Sequence, residues 1–399
     1  MSGDAGFTRT GTNKLAATVA QGCPHFVNST PLFRWLGFSS AGNLPDMNTQ
    51  PSRDTMVAAF MAGDRSYDGV FYTAVKTTGI FCRPACPARR PLPENVTFFA
   101  TVREAMFAGY RPCKRCTPLE APGTPPEWVA GLIAKVDATP DARIRAADLR
   151  AEGIDPGRAR RWFKTHYGMT FSAFCRARRL SGALATIRRG GSVDDAVFES
   201  GFLSHSGFRD AFTRTFGTTP GKGDSVDSVS LAWIESPLGP LIAGADDRGI
   251  CLLEFSDRRM LEAQLKTLAR RLRRPLVPGE HRYLAALRSQ LDEYFAGKRK
   301  VFDVPLNAPG TPFQERVWAA LLAVPFGELR SYEQIAIAVG SPKAVRAVGL
   351  ANGMNRIAIV IPCHRVVGKD GTPTGYGGGI WRKQRLLDLE RGATTTLWP

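Results

Sequence analysis

The chain has 399 residues, 43% hydrophobic and 22% charged, ordinary values for soluble globular protein and a length that suits two to four domains. No run of 18 apolar residues occurs, so no membrane helix is expected, and the first 22 residues lack the apolar core of a signal peptide. The charge is unusual: 53 Lys and Arg against 36 Asp and Glu give +17, which points to a polyanionic partner.

Residues 1–53 show mixed composition and no periodicity, and a disordered extension is expected there. Residues 54–118 form a compact segment with two thiol pairs, Cys82-x3-Cys86 and Cys113-x2-Cys116, separated by 26 residues. Zinc takes four soft ligands in a tetrahedron, and short pairs clasp one edge each. Two disulfides are the competing reading. Eight cysteines in a chain expected in the reducing cytoplasm favour metal or catalysis. Thr77, Thr78, Arg83, Arg89, Arg90, Arg111, Lys114 and Arg115 surround the ligands with hydroxyls and positive charge, a surface that invites phosphate.

Leu119 to Pro126 (LEAPGTPP) reads as a linker. Residues 127–220 are helical in pattern. From Arg143 to Arg189 there are 12 basic and 3 acidic residues, interleaved with Trp162, Phe163, Tyr167, Phe171 and Phe174, so this segment should fold and attract DNA or RNA. A helix over Arg145–Glu152, then Asp155 as cap and Pro156 at the first helical position, makes one helix-turn-helix. Ser192 caps the next helix, Gly201 ends it, and Ser204 caps a helix running to Phe216. Phe208, Ala211, Phe212 and Phe216 form its core stripe. The opposite face carries His205, Ser206, Arg209, Asp210, Thr213 and Arg214, as a recognition helix would. A plain helical bundle is the alternative.

Gly221 to Asp224 (GKGD) marks a second joint. Val229 to Phe255 reads as a three-stranded meander, and helices are expected over about 258–273 and 281–296. Asn307 to Pro312 (NAPGTP) leads into a helical unit over 313–391. This unit is interrupted by Ile357–Val367 (IAIVIPCHRVV), an apolar run read as a buried strand that delivers Cys363 beside His364. Alone, this pair suits a thiol hydrolase or an inert core cysteine.

Taken together, the motifs resemble the Ada family of bacterial methylation-response regulators, over about residues 54–391. FYTAVKTTGIFCRPACPARRPLPENVTFF and GYRPCKRC resemble its zinc domain; SGF and FTRTFGTTP resemble AraC-type DNA-binding domains. SPLGPL, FQERVWAALLAVPFGELRSYEQIA, VRAVGLANGMN and IPCHRVV resemble O6-alkylguanine-DNA alkyltransferases. The resemblance implies a multidomain α+β protein: a small four-cysteine zinc domain (54–118), an all-α AraC-type double helix-turn-helix domain (127–220), an RNase H-like α/β subdomain (226–306) and a helical alkyltransferase domain with a winged-helix-like helix-turn-helix (311–393).

It further implies that Cys363 accepts alkyl groups from guanine O6 and thymine O4. His364 would be the base acting through water, Glu390 its orienting partner, and Asn355 a brace for the turn. Tyr332 would turn the target phosphate, Arg346 would fill the stack left by the flipped base from a helix over 342–353, and Tyr376 would line the base pocket. Cys82 would take methyl groups from phosphotriesters while bound to one Zn²⁺ with Cys86, Cys113 and Cys116, near the phosphate contacts Thr78 and Arg89. Ser206 and Arg209 would face promoter DNA. Double-stranded DNA and RNA polymerase are the implied partners of a monomer. Arg356, where many alkyltransferases carry Pro, departs from the pattern and bears on the local turn. A zinc-dependent transcription regulator whose C-terminal domain only senses damaged bases is the alternative.

Overall fold

The computed structural model describes residues 51–392, apart from 121 and 122; the extension expected over 1–53 lies outside them up to residue 50. Helix α1 (Arg53–Ala62), capped by Ser52, leads into a four-stranded sheet of β1 (Tyr72–Val75), β2 (Ile80–Cys82), β3 (Val96–Phe99) and β4 (Arg111–Pro112), with α2 (Val102–Phe107) between β3 and β4. The strand order is β3-β1-β2-β4, and β4 runs parallel to β2. Two small buried clusters pack at this sheet, Tyr72, Ala74, Phe81 and Ala105 in one and Met56, Ala59 and Phe71 in the other. So small a core needs a metal staple to hold it.

The central segment is all-helical: α3 (Glu127–Ala138), α4 (Ala146–Ala151), α5 (Pro156–Tyr167), α6 (Phe171–Arg188), α7 (Val193–Glu199) and α8 (His205–Phe216). Caps sit where the sequence puts them. The Asp155 side chain accepts from the Arg158 N–H, Ser192 from Asp195 and Ser204 from Gly207, while Gly168 and Gly217 end their helices in the left-handed region. The 18-residue α6 joins the two helix-turn-helix units. The expected GKGD joint is instead part of a tight helical turn, Pro220–Ser225, packed on α6. A Cβ on Gly223 would lie 2.8 Å from Ile187, so glycine there reports close packing, not freedom.

The meander appears as β5 (Val229–Ile234), β6 (Leu241–Asp246) and β7 (Gly249–Phe255), followed by α9 (Leu261–Leu272), a parallel edge strand β8 (Leu276–Pro278) and α10 (Arg282–Phe295). Strand order is β7-β6-β5-β8. Both faces of this sheet are covered, which is why its strands read as apolar runs. In β5, Ala232 and Ile234 join the core under α10, whereas Val229 and Leu231 join a second core with α5, α6 and α9. The helical segment and the sheet therefore share one hydrophobic layer.

The last segment comprises α11 (Pro312–Leu322), β9 (Arg330–Ser331), α12 (Tyr332–Ala338), α13 (Val345–Gly353), β10 (Val366–Val367) and α14 (Ile380–Glu390). Two expectations are corrected here. Helix α13 starts at Val345, because Ser341–Ala344 form a turn closed by an Ala344 N–H to Ser341 carbonyl bond of 2.8 Å. The run Ile357–Ile361 is not a strand: only Ile357 bridges to Leu253 of β7, and the chain then turns tightly. Its apolar residues report burial, and composition alone does not separate a buried turn from a buried strand.

Candidate active site and zinc centre

Cys363 opens a short helical turn, Cys363–Arg365, behind that buried loop. The loop is shaped by Asn355, whose Nδ2 donates to the Ile361 carbonyl (2.9 Å) and to Cys363 Sγ (3.1 Å), while its Oδ1 accepts from the Ile357 N–H (3.0 Å). One carboxamide thus ties both ends of the loop and touches the thiol. Ile359 sits at φ 71°, a left-handed conformation that a β-branched residue holds only under tertiary constraint. Arg356 fits without disturbing the loop. Its carbonyl accepts from the Leu253 N–H (2.8 Å), and its guanidinium donates to the Pro309 carbonyl (2.6 Å).

The Cys363 side chain is 5% exposed. Burial pushes its thiol up, and the Asn355 hydrogen bond works in the opposite direction by favouring the thiolate. His364 is fully buried, with Nε2 2.8 Å from Glu390 Oε1 and Nδ1 without a partner. Burial pushes the imidazole down, against the pull of Glu390. Glu390 accepts further bonds from Arg365 Nε (2.8 Å), Arg365 Nη2 (2.9 Å), the Tyr294 hydroxyl (2.8 Å) and the Gly327 N–H (3.1 Å). Burial opposes ionisation here, but the His364 and Arg365 contacts outweigh it and hold the carboxyl well below the usual range. A carboxylate can only accept, so the His364 proton belongs on Nε2 and the lone pair on Nδ1.

Sequence reasoning missed Arg365, Tyr294, Asn352 and Lys383. The Asn352 amide donates to the Cys363 carbonyl at 3.4 Å. Lys383 is fully buried, donates to the Val366 and Thr374 carbonyls, and is pushed down to about 8 by burial. A signal was present: Lys383 shares the buried stripe of α14 with Leu386, Leu387 and Glu390. A charge on that stripe needs partners.

Tyr332, at the start of α12, donates its hydroxyl to the Thr374 carbonyl at 3.1 Å. Arg346 is exposed on α13, and Tyr376 is half-buried with its hydroxyl unpartnered. These three residues lie on the segments that frame the Cys363 loop.

At the second centre the β1–β2 hairpin sets Cys82 opposite Thr73, and parallel β4 brings Cys113 alongside, its N–H bonded to the Phe81 carbonyl at 3.0 Å. The Sγ atoms of Cys82, Cys86, Cys113 and Cys116 all lie within 4.8 Å of one another. A tetrahedral zinc with bonds of about 2.3 Å sets sulfurs roughly 3.8 Å apart, and Cys86 to Cys113 measures 3.9 Å. The donor set fits one zinc ion.

The rim differs in part from the expected one. Arg83 is buried and braces the second thiol pair through the Cys116 (2.9 Å) and Thr117 (3.1 Å) carbonyls, and Arg90 donates to the Phe60 carbonyl (2.6 Å). Thr78, Arg89, Arg111, Lys114 and Arg115 are exposed. Exposure does not single out Cys82, since Cys116 is the most open of the four thiols.

In the helical segment, Ser206 and Arg209 stand exposed on α8. The first unit is less free. On α5, Trp162 lies 6.0 Å from Trp233 of β5, and Tyr167 lies 6.2 Å from the same ring.

Four family models match in chain order. They are the metal binding domain of Ada over residues 55–119, a helix-turn-helix domain over 149–223, the ribonuclease-like domain of 6-O-methylguanine DNA methyltransferase over 230–308, and the DNA binding domain of the same protein over 312–392. The chain is 38% identical over 338 residues to the regulatory protein ada of Salmonella typhimurium, covering 82% of this chain and 94% of that one. It is 39% identical over 344 residues to the bifunctional transcriptional activator/DNA repair enzyme Ada of Escherichia coli, covering 83% and 94%. A stretch of 159 residues is 50% identical to the methylated-DNA–protein-cysteine methyltransferase of Mycobacterium bovis, covering 40% of this chain and 90% of that one.

Proposed function

The chain belongs to the Ada family, and on that footing we propose how two thiol centres divide the work of a DNA repair methyltransferase that also regulates transcription. Cys363 takes the methyl group of O6-methylguanine and O4-methylthymine. The observation that carries this reading is the pairing of an Asn355-bonded thiol with a His364 whose Nδ1 is left open by its Nε2 bond to Glu390.

The Cys363 proton passes through water to His364 Nδ1, and Glu390 stabilises the imidazolium. The thiolate then attacks the methyl carbon: the S–C bond forms, the C–O bond breaks, and its electron pair leaves on the base, which takes up a proton. The target is stacked in the duplex and must rotate out, which costs a few kcal/mol. Arg346 fills the gap, Tyr332 turns the phosphate, and Tyr376 lines the base pocket. The product thioether has no leaving group that water displaces, so each molecule acts once.

Cys82 takes methyl groups from phosphotriesters: its S–C bond forms as the bond from methyl carbon to phosphate oxygen breaks, the electron pair leaves on that oxygen as a phosphodiester anion, and Thr78 and Arg89 hold the phosphate. Cys82, Cys86, Cys113 and Cys116 would hold the zinc ion, which would keep the four sulfurs ionised at neutral pH. Four thiolates on Zn²⁺ carry a formal −2, and methylation of Cys82 lowers this by one. Near a surface, one unit charge a few ångströms from a phosphate is worth on the order of a few kcal/mol. Methylation thus tightens promoter binding through Ser206 and Arg209 of α8, and the protein then recruits RNA polymerase as a monomer in the cytoplasm. The segments 54–118, 127–220, 226–306 and 311–393 act as its functional units.

The test exposes the full chain to duplex carrying methylphosphotriesters and measures promoter affinity before and after. Affinity should rise at least about tenfold, a change of roughly 1.4 kcal/mol. Unchanged affinity with Cys82 methylated would refute the switch.

A further inference from the structure

Between the two helix-turn-helix units lies a cleft of about 530 Å³ that shares Asp210 and Arg214 with the outward face of α8 and whose other walls have no role in the steps above. Its walls come from three places: Arg143 and Arg145 before α4, Arg176 and Arg179 on α6, and Arg214 with Asp210 on α8. Five arginines face one aspartate. Arg143, Arg145, Arg176 and Arg214 make no side-chain ion pair among the described residues. Arg179 is 9% exposed; it lies over the Phe202 ring at 4.6 Å and reaches the Gly201 carbonyl at 3.5 Å, and its Nε–H is buried without a partner. Burial and then the Arg143 charge push this guanidinium down, the mark of a cation short of counter-charge.

We propose that this cleft binds a compact, multiply charged phosphate ligand of the diphosphate class, clasped between the two DNA-reading units. Guanidinium forks match phosphate oxygens two at a time, and five of them at one cleft suit several oxygens on a small body. Arg143, Arg145 and Arg214 are exposed at the rim, within reach of a duplex backbone, whereas Arg179 is buried at the wall. The buried Arg179 at the wall is reached by a group small enough to enter. Because the walls belong to both units and to the helix joining them, a bound ligand fixes their mutual setting and so changes how they read DNA.

The test titrates the full zinc-loaded chain with inorganic pyrophosphate by calorimetry in low-chloride buffer. One saturable site is expected, weakened roughly tenfold or more by Arg143→Glu with Arg176→Glu. Arg270→Glu with Arg271→Glu makes the same charge change near the end of α9 and should leave affinity within about twofold. Equal losses in both pairs, or no saturable site, would overturn the proposal. If the first pair fails to fold, Arg143→Ala alone, a fully surface-lying change, should still weaken binding by about threefold. A non-specific duplex supplies the second arm. Pyrophosphate that still saturates one site on DNA-bound protein, with an affinity shifted from that of the free protein, supports a small-ligand site coupled to DNA reading, whereas one-for-one displacement by duplex assigns the cleft to the DNA backbone and overturns it.

Discussion

Replacing Glu390 with Gln keeps the shape of the side chain and removes its charge, and the structure sets two separate consequences. Arg365 loses a carboxylate that it grips through two nitrogens at 2.8 and 2.9 Å while 7% exposed. Leaving a buried charge without its partner costs about 3–5 kcal/mol, so urea unfolding of the variant should show a loss of that order. The second consequence is chemical. A glutamine amide can donate to His364 Nε2, which moves the imidazole proton to Nδ1 and removes the only open lone pair. The imidazolium also loses its stabilising charge. Losses of roughly 10²–10⁴ follow when a base is misprotonated in this way. The assay is single-turnover transfer from O6-methylguanine duplex by rapid quench, run where the variant is folded by circular dichroism. A folded Glu390→Gln protein that transfers within about threefold of the parent rate would refute the assignment of Glu390 as the group that sets the tautomer.

Asn355→Ala removes the four side-chain hydrogen bonds around the Cys363 loop and should destabilise the protein by about 2–3 kcal/mol, read from denaturant midpoints. Because burial lowers the His364 pKa, the fall in single-turnover rate on acidification should have its midpoint below the ordinary imidazole value of about 6.5, and a midpoint above that value would contradict this. The depressed carboxyl of Glu390 contributes stability that is fully present above the ordinary carboxylate pKa of about 4.3 and is lost as pH falls from there toward the lower folded value; thermal melting between pH 6 and 3 should show the onset of that loss below about pH 4.3. Cys113→Ser should abolish zinc retention, measured as metal per chain after dialysis, and should unfold the sheet around Phe81, whose buried cluster is four residues. Arg209→Ala should weaken promoter binding by about 1–3 kcal/mol in a gel-shift titration and relax selectivity at one base position.

Much of this architecture is legible in the sequence because local chemistry and global packing agree. Asp155-Pro156, Ser192 and Ser204 mark helix starts whose caps form as written, and the Phe208, Phe212 and Phe216 stripe is buried. The thiol spacing likewise foretells a cluster, since two short pairs in a small segment have little choice but to meet. What was not legible depends on distant chain. The loop of Ile357–Ile361 mimics a strand because every residue is buried, and its turn is imposed by Asn355 and by pairing to Leu253. Tyr294 and Arg365 reach Glu390 from sequence positions 96 and 25 residues away, with no local pattern to reveal them. Arg83 looked like part of a phosphate-facing rim, yet its planar donors suit carbonyls beneath the zinc ligands equally well. Residue type alone does not choose between the two.

The most direct measurement is mass spectrometry of the intact and digested protein after exposure to a molar excess of duplex carrying O6-methylguanine. One methyl group on the Cys363 peptide, repaired base equal in amount to protein, and no further conversion with time is the expected result. Repaired base in excess of protein, or a Cys363 peptide of unchanged mass alongside repaired DNA, would contradict it.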